Sequence, residues 1–316
     1  MKVTIVSYFN KEVEEIKMNE MKKDLPVYII ILSIIIGCKS RNTDNVDFIT
    51  VDVTKSYPKK ELILQDFLDV EYIPLETNDE FITSASLQAM DTDILLIKDH
   101  GWISKGDIFI FDRNGKGLRK INRVGQGREE YTDILDIAMD TENDEIYINN
   151  HFAQKIVVYD LYGNFKRSIK QKEGVFYNLI ANFDRDHLIC HDGHFEIDKP
   201  EIKRNYFLIV SKEDGSIQEI PIPFKEKKSR SMMMRDANGK VISKIYSIYN
   251  KPLIPYQGSW LITELSADTI YSYSQEHVLK PFIVRVPSIH SMDTEVFLFP
   301  GVLTENYYFM QTIKRI

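Results

Sequence analysis

The sequence predicts an all-β fold, a β-propeller of four-stranded blades, on three observations. Aromatic residues are abundant, with 17 Tyr and 17 Phe among 316 residues, and such side chains pack well on a pleated, half-buried surface. Long amphipathic helices are scarce, and the chain reads as short apolar strands separated by turn residues. Most telling, a strand–Gly turn–strand unit recurs, with Gly115, Gly163 and Gly215 spaced 48 and 52 residues apart. Four strands in about 40–50 residues is the size of a propeller blade, and a sandwich has no need of such a repeat.

From the N-terminus, the first element is an address. Residues 25–36 (LPVYIIILSIII) form an apolar run of 12 residues, shorter than the roughly 20 that span a membrane. Lys22 and Lys23 precede it, and Gly37 and Cys38 follow. A basic start, a short apolar stretch and a small residue before the cleavage point make a secretory signal. Residues 1–20 sit awkwardly before it, since they carry Glu12, Glu14, Glu15 and Glu20. Translation is therefore expected to begin at Met21, with Met18 as the other option, leaving 1–20 as a spurious extension and 21–37 as the signal peptide. Residues 38–46, which include the polar run KSRNTDN, read as a tether. The propeller is assigned to 47–316.

Within it, Phe48 to Val53 (FITVDV) is a candidate closing strand, and Lys59 to Leu68 has the pattern of one or two helical turns. The Gly-turn unit appears as Asp107 to Ile121, Lys155 to Ile169 and Tyr206 to Ile220, with a fourth copy at Thr269 to Val284 that has lost its Gly. Asp112 and Asp160 stand three residues before Gly115 and Gly163, a spacing that suits a type I turn closed by a left-handed Gly. A blade-opening unit of two strands precedes each copy, at 87–98, 134–148, 179–190 and 253–263, and a fifth lies at 296–310. The chain stops soon after it, at Lys314-Arg315-Ile316. The last blade is thus expected to be incomplete through a C-terminal truncation or frameshift, with a smaller closed propeller as the alternative.

These blades resemble NHL-like six-bladed propellers, and more closely the six-bladed β-propeller lipoproteins of Bacteroides-type bacteria, largely of unknown function. The stretches that carry the resemblance are VDVTKSYPKKELILQDFLDVEYIPLET, DIFIFDRNGKGLRKINRVGQGREEY, IVVYDLYGNFKRS and SADTIYSYSQEHVLKPFIVRVPSIHSM. Together they cover nearly all of 45–316. The turn Val124-Gly125-Gln126-Gly127 matches the Gly-rich loop between blades in that group, but Arg128-Glu129 follow where related propellers often have Pro-Gly. Ile35-Ile36-Gly37-Cys38 resembles a bacterial lipobox. That resemblance implies lipidation at Cys38 and a lipid anchor in the cell envelope, on the outer membrane facing the periplasm.

The formal charge is −7, which argues against a nucleic-acid partner, since neutralising phosphates takes clustered Lys and Arg. The one dense basic stretch, Lys225 to Arg230, reads as a solvated loop. The only other cysteine, Cys190, lies in the apolar run Leu188-Ile189-Cys190 and reads as a core filler.

Motifs for chemistry are weak. His187, His191 and His194, with Asp192 and Glu196, form the densest cluster of ligand types, and imidazole with carboxylate suits zinc or manganese. The strand period of two puts His191 and His194 on opposite faces, so no metal is assigned, and His191, Asp192 and His194 stand as weak candidates. Gly125 and Gly127 read as a turn, because no helix N-terminus follows to cradle a phosphate. The acidic turns Asp91 to Asp93 and Asp140 to Glu145 lack the oxygen spacing of a calcium loop and read as exposed hairpin turns. No catalytic residue and no cofactor is assigned. The expected function is a non-catalytic envelope binding module for a glycan, a peptide or an envelope protein. The alternative is an envelope hydrolase or lyase acting in the propeller funnel.

Overall fold

The computed structural model describes residues 48–56, 63, 71–84, 86–99, 106–193, 205–228, 251–304 and 306–314, and the backbone of 232–235 and 241–245. Cys38 and the signal segment, His194, Glu196, and all of 59–68 except Ile63 lie outside these residues. Among the described residues there is no α-helix, and none is long and apolar enough to cross a membrane.

The strand β1 (Ile49–Asp52) precedes the first blade, β2 (Ser86–Met90), β3 (Ile94–Lys98), β4 (Ile108–Asp112) and β5 (Gly117–Ile121). The second blade is β6 (Asp136–Asp140), β7 (Glu145–Asn150), β8 (Lys155–Asp160) and β9 (Phe165–Lys170). The third is β10 (Tyr177–Asn182), β11 (His187–Asp192), β12 (Phe207–Ser211) and β13 (Ile217–Ile220). A hairpin, β14 (Met232–Arg235) and β15 (Val241–Ile245), follows before the fourth blade. That blade is β16 (Leu253–Tyr256), β17 (Ser259–Ile262), β18 (Thr269–Tyr273) and β19 (Leu279–Val286). A last hairpin pairs β20 (Val296–Leu303) with β21 (Tyr308–Lys314). Each blade is an antiparallel meander in sequence order, and the opening strands β2, β6 and β10 lie side by side on the inner edge. This is a β-propeller.

The repeat seen in the sequence is a repeat of hydrogen bonds. In the first two blades, Gly115 and Gly163 donate to the carbonyls of Asp112 and Asp160, both at 3.0 Å. Each Asp side chain accepts two amides of the same turn, Asn114 and Lys116 in one, Tyr162 and Asn164 in the other. The glycines take φ of +81° and +83°, where an L side chain is strained. In the third blade Ser211 replaces the Asp and Gly215 closes a turn one residue longer. In the fourth, His277 takes the left-handed place at φ +60° and donates to Ser274 O at 3.0 Å. The copy that lost its Gly kept the turn.

Packing explains the strand composition. The middle strands of the first three blades are buried on both faces, so runs such as ILLI, IFIF, IVVY and FLIV need no polar alternation. In the first blade, Leu96, Ile108 and Ile110 face the second blade's Ile137, Ile146 and Val157. Leu95, Ile97, Phe109 and Phe111 point the other way, against Phe81 from the segment before the blade. Cys190 lies in the layer between the second and third blades, wholly buried as a core filler, and burial pushes its thiol pKa up.

The strand Phe48 to Val53 was expected to close the ring on the last blade. It joins the last four-stranded blade, with β1 running parallel to β19 in the register Ile49–Ile283 to Asp52–Val286. Val51 and Val53 are buried there with Ile283, Leu298 and Met310, so β1 also seals the boundary with the β20–β21 hairpin.

In an up-and-down blade, the connection between its second and third strands and the link to the next blade emerge at the same end. We call this the loop end, and the opposite one, with the two hairpin turns, the turn end.

Candidate functional site

The candidate site is a groove of about 460 Å³ at the loop end of the fourth blade, lined chiefly by Phe224, Lys225, Ser266, Asp268, Ser288 and His290. Three connections build it: the segment after β13, the β17–β18 loop, and the 3-10 turn Ile289–Ser291 between β19 and β20. The last is held in place by local bonds. Ser288 Oγ accepts the amide of His290 at 3.2 Å, and Asp268 Oδ1 accepts that of Ile289 at 2.7 Å. The Ile289 side chain is fully buried with Leu265, Phe297 and Phe299, which fixes the ring of His290 beside it at the groove.

Of the residues lining the groove, His290 has a buried ring nitrogen without a hydrogen-bond partner among the described residues. Its Nε2 lies 2.8 Å from the carbonyl oxygen of Ser266. A carbonyl only accepts, so Nε2 carries a proton. The side chain is 10% exposed, and Nδ1 is buried without a hydrogen-bond partner among the described residues, with Glu226 Oε1 at 3.8 Å. A second small cavity of about 10 Å³ lies beside the groove, lined by Thr263, Glu264 and Arg285 among others. It has room for about one water molecule, and the buried Thr263 Oγ1 there also lacks a partner among the described residues.

Charge around the groove is balanced. Lys227 pairs with Glu264 at 2.7 Å and sits 3.6 Å from the ring centre of Tyr206. The amide of Lys228 donates to Ser266 Oγ at 2.8 Å, and its ammonium meets Glu226 at 2.5 Å and Glu295 at 3.3 Å. The hydrogen bond from Lys228 draws the Glu226 pKa down, and the same bond draws that of Lys228 up. Of the stretch Lys225 to Arg230, Lys225 and Glu226 are exposed as expected and 229–230 lie outside the described residues, but Lys227 and Lys228 correct the reading as a solvated loop. Lys227 and Lys228 are spent on carboxylates from the β17–β18 loop and from beyond β19, which a local reading of composition does not see.

His194 and Glu196 lie outside the described residues, and the others singled out in the sequence do not come together. His191 and Asp192 are consecutive in β11 and point to opposite faces. His191 Nδ1 contacts Asn178 Oδ1 at 2.6 Å with its ring against Phe207, while the Asp192 carboxylate accepts the amide of Phe176 at 3.0 Å. His187 bonds Asp184 at 2.9 Å. Among the described residues no three His, Cys, Asp or Glu side chains gather as metal ligands. At the turn of Gly125 and Gly127, the chain's own Glu130 carboxylate accepts the Gly127 amide at 2.8 Å, occupying the place a phosphate would need.

One expectation is corrected in part at the turn end. The hairpin turn between Asp140 and Glu145 is exposed at Thr141, Glu142 and Asp144, but the two flanking carboxylates are not. Asp140 is buried against Lys212, and Glu145 is buried against Arg167 and Lys166. A further group near the inner edge went unremarked in the sequence. Asp136, on β6, accepts the amide of Ile180 at 2.7 Å, and burial raises its pKa to about 6. Lys98, whose pKa burial lowers, donates to the carbonyls of Ile134 and Leu135, tying the first blade to the second.

With the fold and groove described, comparison with known proteins places the chain. The profile of a domain of unknown function, DUF4934, matches residues 48–287. The chain belongs to that family. No functionally curated protein matches this DUF4934 chain. Among solved structures it is similar to a Bacteroides fragilis protein inferred to be exported, with a TM-score of 0.52 and 12% identity over 84% of this chain and 78% of that one. That likeness shows a shared fold. Looser similarities join it to a DUF4221 member from Bacteroides vulgatus (TM-score 0.38, 10% identity, 76% and 96% covered) and to virginiamycin B lyase from Staphylococcus aureus (0.36, 10%, 73% and 84%). These two superpose too loosely to carry an argument.

Proposed function

We propose that this protein is a non-catalytic ligand-binding propeller of the six-bladed lipoprotein type, exported and anchored through Cys38 in the bacterial envelope, on the outer membrane facing the periplasm. The groove at the loop end of the fourth blade is its binding site. The observation that carries this reading is the buried Nδ1 of His290, without a hydrogen-bond partner among the described residues, beside a groove of about 460 Å³, within the size range of small-ligand sites. A hydrolase needs a nucleophile or water activated by a base. Among the described residues neither ring nitrogen of His290 bonds a hydroxyl, since Nε2 is spent on the Ser266 carbonyl. The groove is thus equipped to hold a ligand rather than to attack one.

Two measurements test the proposal. In cells, Cys38→Ser is expected to move the protein from the membrane to the soluble fraction, and retention in the membrane overturns the anchor. For the purified protein, thermal unfolding with a panel of glycans and peptides is expected to show one class that raises Tm, because binding the native state stabilises it. A melting curve that none of them moves argues against a small-ligand site.

A further inference from the structure

One wall of the groove is tied down at both ends and exposed in the middle, and a histidine stands behind the exposed part. We infer that His290 and Glu226 form a pH-sensitive latch, in which the imidazolium of His290 donates from Nδ1 to the Glu226 carboxylate and draws the segment 223–228 onto the fourth blade. The latch is a property of the free protein, so it stands or falls apart from ligand binding.

The wall is the segment after β13. Ile222 is buried, and Phe224 packs against the same core between the third and fourth blades. Further on, Glu264 holds Lys227 at 2.7 Å, and Ser266 Oγ accepts the Lys228 amide at 2.8 Å. Between these anchors Lys225 and Glu226 are exposed. Pro223, Phe224 and Lys225 line the groove, so the position of this segment sets its width.

His290 is fixed while this wall has room to move. Its Nε2 bonds the Ser266 carbonyl, and the buried Ile289 beside it pins the backbone. Its Nδ1 lies 3.8 Å from Glu226 Oε1. Without a proton on Nδ1, two acceptors stand opposite each other and no bond forms. With one, the pair is a cation and an anion about 1 Å short of a charge-assisted hydrogen bond, which spans about 2.7–2.9 Å. Imidazole is the side chain that changes charge between pH 5 and 8. Glu226 stays ionised over that range, because the hydrogen bond and charge of Lys228, with His290 adding to them, hold its pKa below the ordinary value.

The other charges around the ring are engaged elsewhere. Among the described residues Glu226 is the only carboxylate paired with His290. Asp268 accepts the Ile289 amide and has Arg285 at 4.0 Å, while Glu264 takes Lys227 and the Ser266 amide. Lys225 is exposed on the wall itself. Lys228 competes for Glu226 at 2.5 Å, but it has a second acceptor in Glu295 at 3.3 Å and keeps a partner when Glu226 turns inward. Four carboxylates, Glu226, Glu264, Asp268 and Glu295, thus offset Lys225, Lys227, Lys228 and Arg285. The nearest partner, and not a net local charge, decides what an imidazolium does here.

The test compares the full chain, without ligand, at about pH 5.5 and about pH 8, on either side of the ordinary imidazole range. With ¹⁵N-labelled histidine, His290 Nδ1 is expected to carry a proton at the lower pH and none at the higher, while Nε2 keeps its proton at both. Hydrogen exchange of the Lys228 amide reads the position of the wall. Corrected for the intrinsic pH dependence of exchange, its protection should be about threefold higher or more at the lower pH. Glu226→Ala removes the acceptor from an exposed position, so it spares the core, and it should abolish that difference. Salt at about 1 M, where the Debye length is about 3 Å, should shrink it. A Nδ1 that stays unprotonated at the lower pH overturns the latch. So does a Lys228 amide whose protection ignores pH, or follows pH equally in Glu226→Ala. All these readouts are made on the free protein, so a failed ligand screen would remove the binding module and leave them intact.

Discussion

Two buried lysine–carboxylate pairs, one at each end of the propeller, separate structure from site. At the turn end, Lys212 reaches Asp140 at 2.5 Å and also donates to the carbonyls of Asp184 and Arg185, so its three donors have three acceptors. Next to it Glu145 takes both guanidinium nitrogens of Arg167, the Lys166 ammonium and the hydroxyl of Tyr147. This end is closed. At the loop end, Lys227 meets Glu264 at 2.7 Å over the ring of Tyr206, but His290 Nδ1 and Thr263 Oγ1 in the same region are buried without partners among the described residues. An ion pair buried in a finished network holds blades together. A similar pair beside unfinished bonding borders a place where something else can bind.

The comparison can be broken most forcefully at Lys212. Lys212→Met strands the Asp140 carboxylate in the interior and should cost about 3–5 kcal/mol in chemical denaturation. The double change Lys212→Met with Asp140→Leu should recover most of that. A single variant as stable as the original would mean that the turn end is not the closed network described.

A smaller effect is expected from pH at Glu145. Burial alone would raise its pKa, but the bonds from Arg167, Lys166 and Tyr147 prevail and bring it to about 2. A carboxyl depressed in the folded state contributes stability that is complete above its unfolded pKa near 4.5 and is lost as pH falls through 2. The contribution is at most about 3 kcal/mol for a shift of this size. Glu145→Gln should flatten the acid limb of a stability–pH curve between pH 4.5 and 2, and an unchanged limb would refute the assignment.

The smallest change in stability belongs to the loop end. His290→Gln should alter the unfolding free energy by less than about 0.5 kcal/mol while changing the response to ligand, since it keeps a donor for the Ser266 carbonyl and removes a ring nitrogen with no hydrogen-bond partner among the described residues. A loss as large as that of Lys212→Met would make the groove structural.

Much of the architecture was legible because the chain writes its turns locally. Asp112 with Gly115 and Asp160 with Gly163 are neighbours whose bonds close within five residues, so composition and spacing reveal them. The two-sided burial of the middle strands left continuous apolar runs that marked strand positions from Ile94 to Val210. The fourth blade shows how far this extends. Its turn lacks glycine, yet the flanking strands forced His277 into the same left-handed place.

The site was not legible, for a reason of distance. Phe224, Asp268 and His290 meet at the groove across intervals of 44 and 22 residues, and none belongs to a motif. Lys227 and Lys228 looked solvated because Glu264 and Glu295 lie far along the chain. Asp140 looked exposed because Lys212 comes from the next blade. Conversely, His191 and Asp192 drew attention as neighbours, although a strand turns neighbours to opposite faces.

The sequence by itself determined the strand order, the repeat, the turn chemistry and the core composition, all properties set by contacts along the chain or by a period of two. Only the tertiary structure decided which charges are paired, that β1 joins the fourth blade in parallel, and that one histidine nitrogen beside a groove has no hydrogen-bond partner among the described residues. Those outcomes depend on how blades meet, and hydrogen-bond satisfaction is settled by the groups that packing brings together.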